Sequence, residues 1–312
     1  MPSSTTSHVC DLNEAQADSL RSLLAERGWE FSTPPPYARW RAKKAKVNVV
    51  AYESGKTTVQ GKGTDEFVRF TLEPEILKQF RYGYESQLAE LETPDMFLPH
   101  AGIDESGKGD YFGPLVVACC YTDGNSAKIL LEAGVADSKT IKNDAKMLQL
   151  DEVIRKTCPG QFALVTVGPE AYNRLYDSFG NLNRLLAWGH AKALEKLLEL
   201  VPDCPRAIDD QFAASKSTVE NALQERGRRI ILEQHPKAEA DVAVAAASIL
   251  ARAEFVRHLK RLGDSISVLL PRGGGPAVKQ TARQLASSGG EALLRRLAKI
   301  HFSITAGLGM TP

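Results

Sequence analysis

Two neighbouring carboxylates, Asp104 and Glu105, close an apolar run and are followed at once by Ser106-Gly107-Lys108-Gly109. Carboxylate oxygens are hard donors that suit Mg2+ or Mn2+, and two such ions about 4 Å apart can serve phosphodiester hydrolysis. Neighbours on a strand point to opposite faces, so both acids reach one site only where the strand twists or ends. Gly107 and Gly109 supply that ending, and they bare a backbone that could approach a phosphate or sugar while Lys108 offers a cation. Taken alone, the string reads equally as a charged strand end before a tight turn. A second acidic strand end, Asp209-Asp210, can aim a carboxylate at the same place; alternation puts the two on opposite faces and spacing leaves open which one points inward. Glu239 and Asp241 precede an alanine-rich stretch and could either join the acids or serve a helix N-terminus.

These residues need elements to hold them. Residues 114–122 read as an apolar strand buried on both faces, 143–158 as an amphipathic helix, 162–167 as a strand ended by Gly168-Pro169, and 181–200 as a long helix that Asn181 can cap. Trp188 and His190 on that helix read as packing residues. Ile230-Ile231-Leu232 is a further short strand, and the many alanines from Ala238 allow a helix to approach a sheet closely. Arg252, Arg257, Lys260 and Arg261 fall towards the far end of that helix, which suits either its dipole or an edge facing nucleic acid. Gly273-Gly274-Gly275 marks a loop before the final helices.

The N-terminal part has a different character. Asp11 and Glu14 have capping-box spacing, Leu20, Leu23 and Leu24 share a helical face, and Gly28 stops the helix. After Pro34-Pro35-Pro36, residues 47–52 and 57–60 read as a hairpin, so a small α+β unit is expected. Arg39, Arg41, Lys43, Lys44, Lys46, Lys56 and Lys62 face a single acid, Glu53, between residues 39 and 62, with Tyr37 and Trp40 interleaved. That pattern fits a surface that grips phosphates and packs on sugars or bases, and equally a lysine-rich edge that blocks sheet aggregation. Pro94 and Pro99, weak periodicity and local acidity mark residues 86–100 as a linker.

Composition is compatible but undirected: 312 residues with 43% hydrophobic content can build a large core, while a net charge of +1 announces no nucleic-acid partner. No run is long and apolar enough for a membrane span, the N-terminus lacks a basic region before an apolar core, and a cytoplasmic protein is expected. The five cysteines have no Cys-x-x-Cys spacing, and Cys119 and Cys120 read as small core residues. A P-loop, a Gly-x-Ser-x-Gly elbow and a dinucleotide glycine set are all missing, which leaves oxygen-donor metal chemistry as the supported class.

The longer string from Asp104 through Gly113-Pro114-Leu115-Val116-Val117 resembles the first motif of ribonuclease HIII, a type 2 ribonuclease H. Lys108, where ribonuclease HII relatives usually carry arginine, tilts the resemblance towards HIII, as do Asn181-Leu182-Asn183-Arg184-Leu185-Leu186-Ala187-Trp188 and the basic N-terminal segment. The resemblance implies an α/β fold, a ribonuclease H-like mixed sheet flanked by helices over 101–312, preceded by a linker at 86–100 and a small TATA-box-binding-protein-like α+β domain over 1–85. It implies hydrolysis of the RNA strand of RNA/DNA hybrids with Mg2+ (or Mn2+), two ions being expected, and 5′-phosphate and 3′-hydroxyl products. Asp104, Glu105 and Asp210 would hold metal, with Glu239 as a fourth acid and Asp241 its rival. Asp-Gln-Phe-Ala selects Asp210 and leaves Asp209 where the family usually has an apolar residue. Ser106, Gly107, Lys108, Gly109 and Lys139 would meet substrate in the catalytic domain, and Arg39, Lys43 and Lys62 in the N-terminal one. A monomer is expected. The alternatives are removal of single ribonucleotides from duplex DNA, as in ribonuclease HII, and a catalytically silent hybrid-binding protein.

Overall fold

The computed structural model describes residues 6–79, 90–136, 138, 141, 143–212, 215–236 and 238–309. The chain divides into two compact units, Met1–Leu91 and Glu92–Pro312.

The first unit is one antiparallel sheet of order β1-β5-β4-β3-β2, built from β1 (Ser7–Asp11), β2 (Glu30–Ser32), β3 (Ala38–Lys44), β4 (Val47–Tyr52) and β5 (Lys56–Gln60). Helix α1 (Glu14–Glu26) packs Leu20 and Leu24 on the sheet beside Trp40, Val49 and Val59, and α2 (Thr64–Phe67) runs on into a π-helical segment, Val68–Leu77, that adds Leu72 and Ile76. The hairpin is as expected. The capping box is not: Asn13 and Gln16 form it, because Asp11 is still part of β1, paired with Lys56. Trp40 also departs from expectation. Alternation along β3 buries Trp40 and Ala42 and exposes Arg39, Arg41 and Lys43, so the tryptophan is core and no platform for bases, whereas Tyr37 is 81% exposed.

The second unit carries a mixed sheet of order β10-β9-β6-β7-β8, from β6 (His100–Ser106), β7 (Leu115–Thr122), β8 (Phe162–Val167), β9 (Arg206–Asp210) and β10 (Ile231–His235). β6 pairs antiparallel with β7 and parallel with β9, which pairs parallel with β10. Helices α3 (Gly124–Glu132), α4 (Asp144–Thr157), α5 (Pro169–Phe179), α6 (Leu182–Leu200), α7 (Val242–Ser265) and α8 (Pro276–Leu297) surround it. Helix α5 escaped the sequence reading because Gly168-Pro169 was taken only as a strand stop, whereas proline at the first helical position starts this helix. Asn181 caps α6 through Asn183 N. One face of α6 (Leu185, Leu186, Leu194, Leu197, Leu198) packs on Ile103, Val117 and Ala207; truncating any of these leucines to alanine would cost about 2–5 kcal/mol.

On the other face of the sheet, α7 lies so close that a Cβ on Gly102 would stand 2.1 Å from Val244 N and 2.2 Å from Ala243 C. Small residues make that approach possible, and residues Val242 to Ala251 are buried without exception. The basic residues of α7 are not in its last turn, since the helix continues to Ser265. They are instead engaged within the chain: Arg257 pairs with Asp151, Arg252 donates to the Ser138 carbonyl, Lys260 pairs with Asp264 and Arg261 with Glu254. The helix dipole does not account for them, because none lies in the last turn.

Candidate active site at the carboxyl ends of two parallel strands

Because β6 and β9 are parallel neighbours, Asp104-Glu105 and Asp209-Asp210 arrive at the same edge of the sheet. Ile103 pairs with Asp209, so these two share a face, and Glu105, two residues on from Ile103, shares it too. That is the α6 face. Asp104 and Asp210 take the α7 face.

Asp104 is only 5% exposed; its Oδ1 accepts from Glu105 N at 2.7 Å, and Ser248 on α7 hydrogen-bonds its side chain. Ser248 in turn meets Ser138 at 2.6 Å between hydroxyl oxygens. Burial, then the negative charge of Glu105 and Asp210, push the Asp104 carboxyl up to about 7. Asp210 is half-buried, and its Oδ1 accepts from Ala238 N at 3.1 Å, which ties the end of β9 to the turn Ala238–Ala240 that carries Glu239. Asp241 is otherwise occupied. It caps α7 by accepting from Ala243 N and Val244 N, and it holds the buried His100 at 2.9 Å. Of the two rival acids, Glu239 is the one without a capping duty.

Glu105 has a different setting. Its Oε2 lies 3.2 Å from His190 Nε2 and its Oε1 3.5 Å from Lys108 Nζ. Burial alone would raise its carboxyl, but His190 and Lys108 hold it below the ordinary range. His190 is fully buried on α6, and its Nδ1 sits 2.7 Å from Asp209 Oδ1. Burial opposes charge on the imidazole, yet Asp209 and Glu105 push it up to about 10. The ring of Phe212 packs 4.7 Å from His190 and beneath the ammonium of Lys108 at 5.5 Å. Sequence reasoning placed His190 among packing residues and gave Asp209 no duty; only the fold brings helix and strand together here.

In the loop after β6, Gly107 has φ +90°, and a Cβ there would lie 2.2 Å from the Pro114 carbonyl oxygen, so the fold itself demands glycine. At Gly109 the backbone makes no such demand and the space is open. Lys299, fully buried, donates from Nζ to the carbonyls of Asp110 and Gly113 at 2.8 Å each, while Gly273 N donates to Asp110 Oδ1 at 2.6 Å. The glycine-lysine loop is thus pinned from the C-terminal side. Lys139 and Asp137 lie outside the described residues. Arg39, Lys43 and Lys62 belong to the first unit, each exposed, with Arg39 paired to Glu14.

Among the described residues no three His, Cys, Asp or Glu side chains converge into a ready-made metal cage. The acids at the strand ends nevertheless fit a hard divalent cation: their donors are carboxylate oxygens, and the burial and neighbouring negative charge that raise Asp104 are what a doubly charged ion offsets.

A sequence profile described as Ribonuclease HII matches residues 101–305, and one described as a domain of unknown function, DUF3378, matches residues 7–83. The ribonuclease HIII of Chlamydia pneumoniae is 42% identical over 94% of this chain and 95% of its own length. The chain belongs to the ribonuclease HIII family. That of Protochlamydia amoebophila is 40% identical over 96% of each chain. Among solved structures, ribonuclease HIII described as Bst-RNase HIII in complex with Mn2+ superposes with a TM-score of 0.65 at 30% identity, covering 97% of this chain and 98% of that one. The ribonuclease HIII assignment agrees with a matched segment on each side of residue 92, and among the described residues no helix is long and apolar enough to cross a membrane.

Proposed function

We propose that this chain is an endoribonuclease that hydrolyses the RNA strand of RNA/DNA hybrids in a divalent-metal-dependent reaction. The observation that carries the reading is that Asp104-Glu105 and Asp210 end two neighbouring parallel strands at the same edge of the sheet, with Asp104 held up by burial and by the charge of Glu105 and Asp210. In this reading Asp104, Glu105 and Asp210, joined by Glu239, would hold two Mg2+ or Mn2+ ions. Bound there, the ions supply an activated water and stabilise the leaving 3′-oxygen, so that 5′-phosphate and 3′-hydroxyl ends result.

The protein's own part is placement. Ser248 and the Glu105 amide fix Asp104, and Ala238 N fixes Asp210. Ser106, Gly107, Lys108 and Gly109 would meet the substrate strand, with the open space at Gly109 letting backbone reach a ribose 2′-hydroxyl and Lys108 answering a phosphate. Lys139 would touch the backbone further along. The exposed cations of the N-terminal unit, Arg39, Lys43 and Lys62 among them, would supply affinity for the hybrid. All four acids come from one chain, so a monomer would suffice for the reaction.

The test is cleavage of an RNA/DNA hybrid and of a DNA duplex containing one ribonucleotide, each with Mg2+, with Mn2+ or with EDTA. Metal-dependent cutting of the hybrid at many positions is the expected result. Cutting only at the single ribonucleotide would establish the ribonuclease HII-like alternative, and binding without cutting the silent one.

A further inference from the structure

Behind the carboxylate site, facing α6, lies a buried chain of contacts from Asp209 through His190 to Glu105 that no step of the reaction above uses. His190 is fully buried, and each of its ring nitrogens faces a carboxylate, Nδ1 to Asp209 Oδ1 at 2.7 Å and Nε2 to Glu105 Oε2 at 3.2 Å. The first contact is a good hydrogen bond. The second is longer and less well aligned, an ion pair by distance with some hydrogen-bond character. Asp209 is also fully buried, and its other oxygen, Oδ2, has no hydrogen-bond partner. A buried acid with one oxygen unsatisfied is costly to keep, and an apolar residue would serve β9 better if packing were all that mattered. Phe212 closes the remaining side of His190 and separates it from Lys108, so the pair is shielded from solvent.

We propose that Asp209 and His190 form a positioning clamp that holds Glu105 from behind, fixing Oε2 so that Oε1, which Lys108 Nζ approaches to 3.5 Å, is presented to the metal once Lys108 turns to the substrate. The pattern is the one seen where a histidine, itself oriented by a second acid, orients a ligating group, and loss of such partners typically weakens metal binding about 10–100-fold. The proposal rests on the reading of Glu105 as a metal ligand. It concerns positioning, since neither His190 nor Asp209 reaches the reacting atoms.

The test uses the full-length protein and Mn2+ alone, with free Mn2+ followed by its electron paramagnetic resonance signal. Removing one member of the clamp would leave a buried charge alone, so both are changed together. His190→Leu with Asp209→Leu removes one cation and one anion, keeps net charge constant and replaces polar groups by apolar ones of similar bulk, a change that is nearly neutral for folding when both partners go. His190→Gln with Asp209→Asn keeps an amide N–H where Nε2 was and an acceptor for its partner.

The leucine pair is expected to bind Mn2+ about ten-fold more weakly and to lose kcat on the hybrid while KM stays unchanged. The glutamine–asparagine pair should recover Mn2+ affinity to within about three-fold of the parent. Binding by the leucine pair within two-fold of the parent would overturn the clamp. So would equal loss in both pairs, which would mark a packing role only. Asp104→Asn is the reference: if it keeps full Mn2+ binding, the metal-site reading falls and the clamp falls with it, whereas loss in Asp104→Asn beside an unaffected leucine pair removes the clamp alone.

Discussion

In the N-terminal sheet one face packs on α1 while Arg41 and Lys43 stand in the open on the other; in the C-terminal sheet α6 and α7 cover both faces and the charged residues of interest sit at strand ends. A bare face offers many weak, screened contacts spread over a long ligand. A doubly covered sheet offers a few carboxylates whose directions are fixed by strand alternation and whose charge is raised in energy by burial. The first arrangement suits affinity and the second suits chemistry, and the contrast can be broken experimentally from either side.

The largest effect belongs to the covered sheet. Asp104→Asn or Asp210→Asn should reduce kcat about 10³-fold or more, because several kcal/mol of charge stabilisation are at stake and each ~1.4 kcal/mol is ten-fold. Binding of the hybrid, followed by fluorescence anisotropy in Ca2+, should change little. Activity surviving in Asp210→Asn but not in Asp209→Asn would reverse the assignment of the two strand-end acids.

Next comes Gly102→Ala. The added methyl would meet α7 backbone atoms near 2 Å, and overpacking of this kind should cost about 3 kcal/mol or more, read as a lowered urea midpoint. A midpoint within error of the parent would mean that α7 can lift from β6 at little cost.

Lys299 makes a pH test of the same covered region. Burial lowers its ammonium from 10.5 to about 7, so above about pH 7 the folded chain has released a proton that the unfolded chain keeps until 10.5. The unfolded state then binds more protons, and stability rises with pH across that window. Urea titrations at pH 7, 8.5 and 10 should show the rise, and Lys299→Met should flatten it.

On the bare face the effects are smaller. Arg41→Gln with Lys43→Gln should flatten the salt dependence of hybrid binding by about 0.9 for each phosphate contact removed and raise KM, with kcat at saturation unchanged. An unaltered salt slope would return this face to the role of a solvated edge. Smallest in its effect on activity, Asp241→Ala should cost about 2 kcal/mol or more, since it removes a cap and leaves the buried His100 without its partner, yet leave kcat alone, the opposite of the pattern expected for Glu239→Gln.

Much of this was legible in the chain because it depends on neighbours in sequence. Asp104 and Glu105 at the end of an apolar run, the hairpin of β4 and β5, and the cap at Asn181 all follow from local pattern. What failed to show depends on partners far away. Asp11-x-x-Glu14 and Asn13-x-x-Gln16 both have capping-box spacing, and the choice falls to Asn13 because pairing with β5 claims Asp11. Alternation separated Asp209 from Asp210, but nothing local told that His190, on a preceding helix, would stand behind one of them. Trp40 looked like part of a binding surface until the sheet showed which side it took. Arg257 fitted a helix dipole until α7 proved longer and α4 supplied Asp151.

The seat of α7 on β6 also bears on how this protein can change over generations. At Gly102 the obstructing atoms are the nitrogen of Val244 and the carbonyl group of Ala243, which every amino acid possesses. No second mutation in the helix could carve out room for a side chain there, because there is no side chain to trim. Trimming side chains of α7 therefore cannot compensate for a change at this position, and Gly102 itself sets how closely the strand that delivers Asp104 meets the helix that delivers Ser248.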